Sequence, residues 1–92
     1  MAPFTTRPVV MGTRGVVPSG PYLATAAGFR IMERGGNAID AAAAMGFCLN
    51  LLEPQSNGIG GEVPTLIYSA AEGKAFAISG VGWNAAAFTI DW

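Results

Sequence analysis

The sequence has no histidine, one cysteine and few charges, and each shortage removes a class of chemistry. Without an imidazole, no serine or threonine of this chain has the general base of a Ser-His-Asp triad. The lone Cys48 excludes an internal disulfide framework and, with no histidine beside it, leaves no zinc ligand set. No metal or other cofactor is implied. Five cations, Arg7, Arg14, Arg30, Arg34 and Lys74, are scattered among six carboxylates for a net charge of −1. They form no basic stripe for a phosphate backbone, which argues against nucleic acid as a partner. The longest apolar stretch, residues 41–49, falls well short of the roughly 20 residues that cross a bilayer. Even its extension to Leu52 contains Asn50. No apolar h-region or small-residue cleavage site follows Met1. The expectation is a soluble, cytoplasmic protein with no membrane partner; a periplasmic or secreted location requires that a signal was trimmed.

What the chain has instead is apolar residues, 51% of its 92 positions against 12% charged. The mean hydropathy is +0.40. A chain this short buries a smaller share of its surface than a typical domain, so it cannot hide this much apolar area in a private core. The composition predicts that another polypeptide, or the remainder of the same gene product, covers it.

Local signals divide the chain into four elements and an opening strand. Pro8 begins an apolar run over 9–17 that Gly12, Arg14 and Gly15 interrupt, which reads as a strand with an irregular middle. In SGPYLATAAGFRIMERGG, Pro21 suits a first helical turn. Leu23, Ala26, Ala27 and Ile31 recur at helical spacing, and Gly35 supplies a left-handed stop. Arg30 and Arg34 lie where the helix dipole favours cations. Asn37 reads as the N-cap of a second helix with Asp40 in its first turn. That helix, AIDAAAAMGFCLNLL, is apolar almost all round, which predicts burial on most sides. Pro54 ends it, because proline lacks the amide donor and disfavours a helical Glu53. After a glycine-rich connector at 55–62, VPTLIYS, AAEG and KAFAISG read as strand, turn and strand. From Gly80 onward no period is evident, and the sequence stops on apolar residues around Asp91. There is no internal domain boundary, repeat or linker; residues 1–92 read as one α+β segment.

Each candidate site has a plain structural explanation beside it. The glycines of SNGIGGE could aim amides at an anion. A helix precedes them and a strand follows, however, the reverse of a phosphate-binding loop, so a tight turn is the better reading. Cys48, inside an apolar helix, is expected to be a small hydrophobe without thiolate character. Asp40 fits a cap better than a functional carboxylate. Glu62 could face a pocket or solvent. Self-activation by an N-terminal nucleophile fails here, since removal of Met1 exposes Ala2, and Thr5 and Thr6 would need further processing.

The order LATAAG, ERGGNAIDAAAA, EPQSNGIGGE and an apolar strand ending near Tyr68, within residues 23–69, resembles the γ-glutamyltranspeptidase family. The spaced combination over residues 35–61 is far more specific than any lone glycine motif. The resemblance implies a precursor that cuts itself into a large and a small subunit, which together form a four-layer αββα sandwich of the N-terminal-nucleophile hydrolase type. It implies a threonine nucleophile at the new N-terminus of the small subunit, which would lie outside this chain. This threonine attacks an amide and forms an acyl-enzyme that passes to water or an amine. On this reading residues 1–92 begin the large subunit and contain no catalytic residue, their partners being the rest of that subunit, the small subunit and a small-molecule amide. Two departures stand out. Family members of the γ-glutamyl-transferring type carry an arginine for the substrate α-carboxylate shortly after the strand matching KAFAISG. This chain reads AISGVGWNAAA there, with no arginine after Arg34 and no cation after Lys74. Val81, Gly82 or Trp83 cannot replace a bidentate guanidinium. Gln55 also stands where the family usually has histidine. The expectation is altered acyl specificity with Trp83 near the acyl pocket, the alternative being an ordinary packed Trp83. The rival functions are an acylase or small-amide amidohydrolase on the same scaffold and, from another class, a non-enzymatic anion-binding module.

Overall fold

The computed structural model describes residues 8–83 and 85–88. The expectations for Thr5 and Thr6, and for the ending around Asp91, lie outside them. The order of elements is α1 (Tyr22–Glu33), α2 (Ala38–Leu52), β1 (Thr65–Ser69) and β2 (Lys74–Ile78), in agreement with an α+β reading.

The expected strand over 9–17 is absent. Gly12 and Gly15 fold the run on itself, so tightly that a Cβ on Gly12 would stand 2.2 Å from the Gly15 carbonyl oxygen. A bend falls at Thr13 and Arg14, and the residues on either side of it pair with no strand among the described residues. The apolar composition of the run is real, but two glycines outweigh it.

Helix α1 begins one residue later than the proline signal suggests. Pro21 is the N-cap, with extended backbone, and its carbonyl accepts from the Ala24 and Thr25 amides. Ser19 donates to the Pro21 carbonyl at 2.9 Å, so the 2.6 Å contact between Ser19 Oγ and Thr25 Oγ1 has Thr25 as donor. The helix ends in a Schellman motif. The Gly36 amide reaches the Ile31 carbonyl, the Gly35 amide reaches that of Met32, and Gly35 has φ +89°. Both glycines are required, since a Cβ on Gly36 would meet Ile31 Cγ2 at 2.5 Å.

Asn37 caps α2 as expected, in a reciprocal capping box: the Asp40 amide donates to Asn37 Oδ1 at 2.9 Å, and the Asn37 amide to Asp40 Oδ2 at 3.4 Å. The two helices pack through small residues. Ala24 and Gly28 of α1 and Ala41 of α2 are buried, and the missing side chain of Gly28 makes room for Met45. The opposite side of α2 is bare. Phe47 is 70% and Leu51 82% exposed, so the burial on most sides expected from composition is not supplied by the described residues.

Strands β1 and β2 pair antiparallel, with Thr65 opposite Ile78 and Ser69 opposite Lys74. Gly73, at φ +63°, closes the turn between them. The register puts Leu66, Tyr68, Ala75 and Ala77 on one face and Ile67, Phe76 and Ile78 on the other. A hairpin apolar on both faces suits the interior of a larger sheet.

The surface measures what is uncovered. A compact monomer of this mass exposes about 5,000 Å² by area-to-mass scaling, and this chain exposes 8455 Å². Its radius of gyration is 17.2 Å, against about 12 Å for a compact domain of this length.

Candidate functional site

The most distinctive part of the sequence, residues 35–61, runs from the cap of α2 to the glycine turn that follows it. Helix α2 ends where Pro54 forbids its continuation. Its last turn is closed by the Glu53 amide donating to the Leu49 carbonyl, and by Ser56 N and Asn57 Nδ2 donating to the Glu53 carbonyl. The chain then reverses through the turn at Ile59 and Gly60, where Gly60 has φ +97° and the Gly61 amide donates to the Gly58 carbonyl at 3.3 Å. Between this turn and the bare side of α2 lies a concavity of about 330 Å³, whose lining includes Gly46, Phe47 and Asn50 of the helix and Ile59, Gly61 and Glu62 beyond it.

The lining selects among the sequence expectations. Glu62 is exposed at its rim, so it faces a pocket and solvent at once. The lining contains a carboxylate and neither lysine nor arginine, and the Gly61 amide is already spent on Gly58. Both facts weigh against an anion nest. Asp40 is occupied by the capping box at the other end of α2. Cys48 is a half-buried free thiol and is not among the lining residues.

Trp83 does not line the concavity either. It is 100% exposed and packs on none of the described residues. The backbone that leads to it is nonetheless anchored beside the glycine turn. The Val63 amide donates to the Gly80 carbonyl at 2.8 Å, and Val63 is itself part of the concavity wall. A Cβ on Gly80 would stand 2.2 Å from the Val63 carbonyl oxygen. Sequence reading missed this link; a glycine ending an apolar strand was its one signal.

The profile of the gamma-glutamyltranspeptidase family matches residues 24–92, about three quarters of the sequence. The chain belongs to the gamma-glutamyltranspeptidase family. Among curated relatives of this gamma-glutamyltranspeptidase-family chain is the Glutathione hydrolase-like YwrD proenzyme of Bacillus subtilis (strain 168), 49% identical over 53 residues. The match covers 58% of this chain and 10% of the relative. The Acylase ACY 1 proenzyme of Pseudomonas sp. (strain SE83) is 52% identical over 48 residues, 52% of this chain and 9% of the relative. The Glutathione hydrolase proenzyme of Bacillus subtilis (strain 168) is 43% identical over 60 residues, 65% of this chain and 10% of the relative. The chain thus spans about a tenth of the length of these relatives. All three relatives are named as proenzymes, one a glutathione hydrolase, one glutathione hydrolase-like and one an acylase.

Proposed function

We propose that this chain is the N-terminal segment of the large subunit of a self-processing amide hydrolase or acyltransferase of the γ-glutamyltransferase type, and that it is inactive alone. The observation that carries this is the match over residues 24–92, whose strongest part is the ordered run GGNAIDAAAAMGFCLNLLEPQSNGIGG. The capped helix and glycine turn built by that run support it. In the proposed assembly, autocatalytic cleavage exposes a threonine at the start of the small subunit. Its hydroxyl attacks the substrate amide carbonyl with the new α-amino group as base. The amine leaves, and water or an amine acceptor takes the acyl group from the threonine ester. The helices and the hairpin then become parts of a four-layer αββα sandwich, with the second subunit and the remainder of the first covering the apolar faces now exposed. A cytoplasmic location belongs to the same proposal.

A second reading, an acylase or small-amide amidohydrolase with non-γ-glutamyl specificity, is favoured by one observation. The segment after β2 carries no arginine to hold an α-carboxylate, and Trp83 stands there instead, beside the anchor at Gly80. We place Trp83 near the acyl group. The 52% identity to an acylase proenzyme is in keeping with this.

The downstream gene sequence and the purified product test the first reading together. An internal threonine at which the precursor splits into two chains is expected; an uncleaved protein with no such threonine would mark a catalytically silent relative. Kinetics separate the two specificities. Efficient turnover of γ-glutamyl-p-nitroanilide, with weak activity on glutaryl-p-nitroanilide, would sink the altered-specificity reading.

A further inference from the structure

We infer that Asn57 and Gly58 form a site of spontaneous deamidation, at which the folded protein converts the Asn57 side-chain amide to a carboxylate and so loses a cap on the end of α2. This does not rest on the amide-hydrolase reading above. Asn57 is the one asparagine of this chain that a glycine follows. The reaction is intramolecular, so its rate depends on how freely the neighbouring amide can approach. The Gly58 nitrogen attacks the Asn57 side-chain carbonyl carbon, forming a C–N bond that closes a cyclic imide. The Cγ–Nδ2 bond breaks, and ammonia leaves with the proton that the Gly58 amide gives up. Water then opens the imide at either carbonyl, leaving aspartate, or isoaspartate with the chain rerouted through the side chain.

Three features favour this at Asn57. The pair lies in no helix or strand, between the turns at 54–56 and 59–60, so no ladder bond has to break. Among the described residues, the Gly58 amide enters none of the backbone hydrogen bonds of the connector, which leaves the nucleophile unengaged. Gly58 is exposed and has nothing within 4 Å of where its Cβ would be, so the attacking backbone has room to turn. One contact restrains the half-buried Asn57: its Nδ2 donates to the Glu53 carbonyl at 3.0 Å. That same bond is what the reaction destroys, because a carboxylate has no N–H to offer. The product also sets a second negative charge in the concavity wall that already holds Glu62. Asn37 and Asn50 serve as internal controls. Asn37 is engaged in the capping box and is followed by Ala38, and Asn50 lies within α2 and is followed by Leu51.

The test incubates the folded full-length gene product at mildly alkaline pH, as wild type and as Gly58→Ala, from a zero-time sample onward. Fragment mass spectra that resolve Asn37, Asn50 and Asn57 separately are the readout, together with an isoaspartate assay. Residue 57 is expected to gain the mass of an amide turned to acid and to accumulate isoaspartate, while Asn37 and Asn50 stay amides. Gly58→Ala, which the open space tolerates, is expected to lose most of the conversion, because a methyl group beside the attacking nitrogen hinders ring closure. Asn57→Asp, which makes the ordinary product directly, is expected to unfold at a lower temperature than wild type. Conversion that appears only in denaturant overturns the inference. So does conversion at Asn37 or Asn50 as fast as at Asn57, or an unchanged rate in Gly58→Ala. A wild-type midpoint in Asn57→Asp overturns the loss of the cap. Should that variant fail to fold, the midpoint of the aged wild-type sample, lowered or unchanged, decides the same question.

Discussion

Gly28 of α1 and Met45 of α2 meet so closely that a Cβ on Gly28 would stand 2.8 Å from both Cγ and Sδ of Met45, and 3.0 Å from Val17 Cγ1. The missing side chain of Gly28 leaves the space that Met45 fills between the two helices. Ala24 and Ala41, the buried alanines of the interface, are the other small residues that let the backbones approach.

Gly28→Val should therefore destabilise the folded protein by about 2 kcal/mol, the usual cost of overpacking a tight interface. Gly28→Ala should cost less, because the roughly 1 kcal/mol gained in helix propensity opposes the clash. Thermal unfolding of the full-length protein measures both. Met45→Ala in the Gly28→Val background should recover part of the loss, and strictly additive effects in that double-mutant cycle would contradict the contact.

Asn37→Ala should cost about 1 kcal/mol by removing the acceptor of the Asp40 amide and opening the box from one side. Asn37→Ser should retain most of that stability, since a hydroxyl oxygen can accept the same bond. Denaturant midpoints of the full-length variants check the ranking; equal midpoints for alanine and serine would mean that the cap does not contribute.

The glycines of the connector are not equivalent. Gly60 holds φ +97°, so Gly60→Ala should destabilise by about 1 kcal/mol through backbone strain alone. Gly58 has no such φ and open space around its missing Cβ, so Gly58→Ala should be close to neutral or slightly stabilising by lowering the entropy of the unfolded chain. The reverse order of midpoints would show that the turn is not the one described.

Expressed by itself, the 92-residue chain should bind a hydrophobic dye strongly and show near-ultraviolet dichroism too weak for fixed aromatic packing. Ile59 at 89% and Leu66 at 85% exposure, together with Trp83, are the reason. Supplying the rest of the gene product should abolish dye binding. A monomeric isolated chain with sharp cooperative unfolding would contradict this.

Much of the local architecture was legible because its causes are local. Gly35, Asn37, Asp40, Pro54 and Gly73 act within a turn or two of their own position, and the ends of both helices and the turn of the hairpin fell where these residues put them. The opening strand failed for the same kind of reason read too lightly: Gly12 and Gly15 bend a run whose valines favour extension. At the candidate site, the glycine turn could be read as a turn and not a phosphate loop from the order of helix and strand alone.

The sequence by itself determined the family motif, the helix caps and stops, the strand pair and the excess of apolar surface, all of which follow from neighbouring residues or from composition. Only the tertiary structure decided that Gly28 makes room for Met45, that Gly80 closes on Val63, that Glu62 stands at the rim of a concavity, and that Trp83 packs on none of the described residues. Those outcomes depend on which distant backbones come within contact distance. No periodicity along the chain encodes that, because the space a missing Cβ leaves is filled by a residue whose sequence separation the local signals do not set.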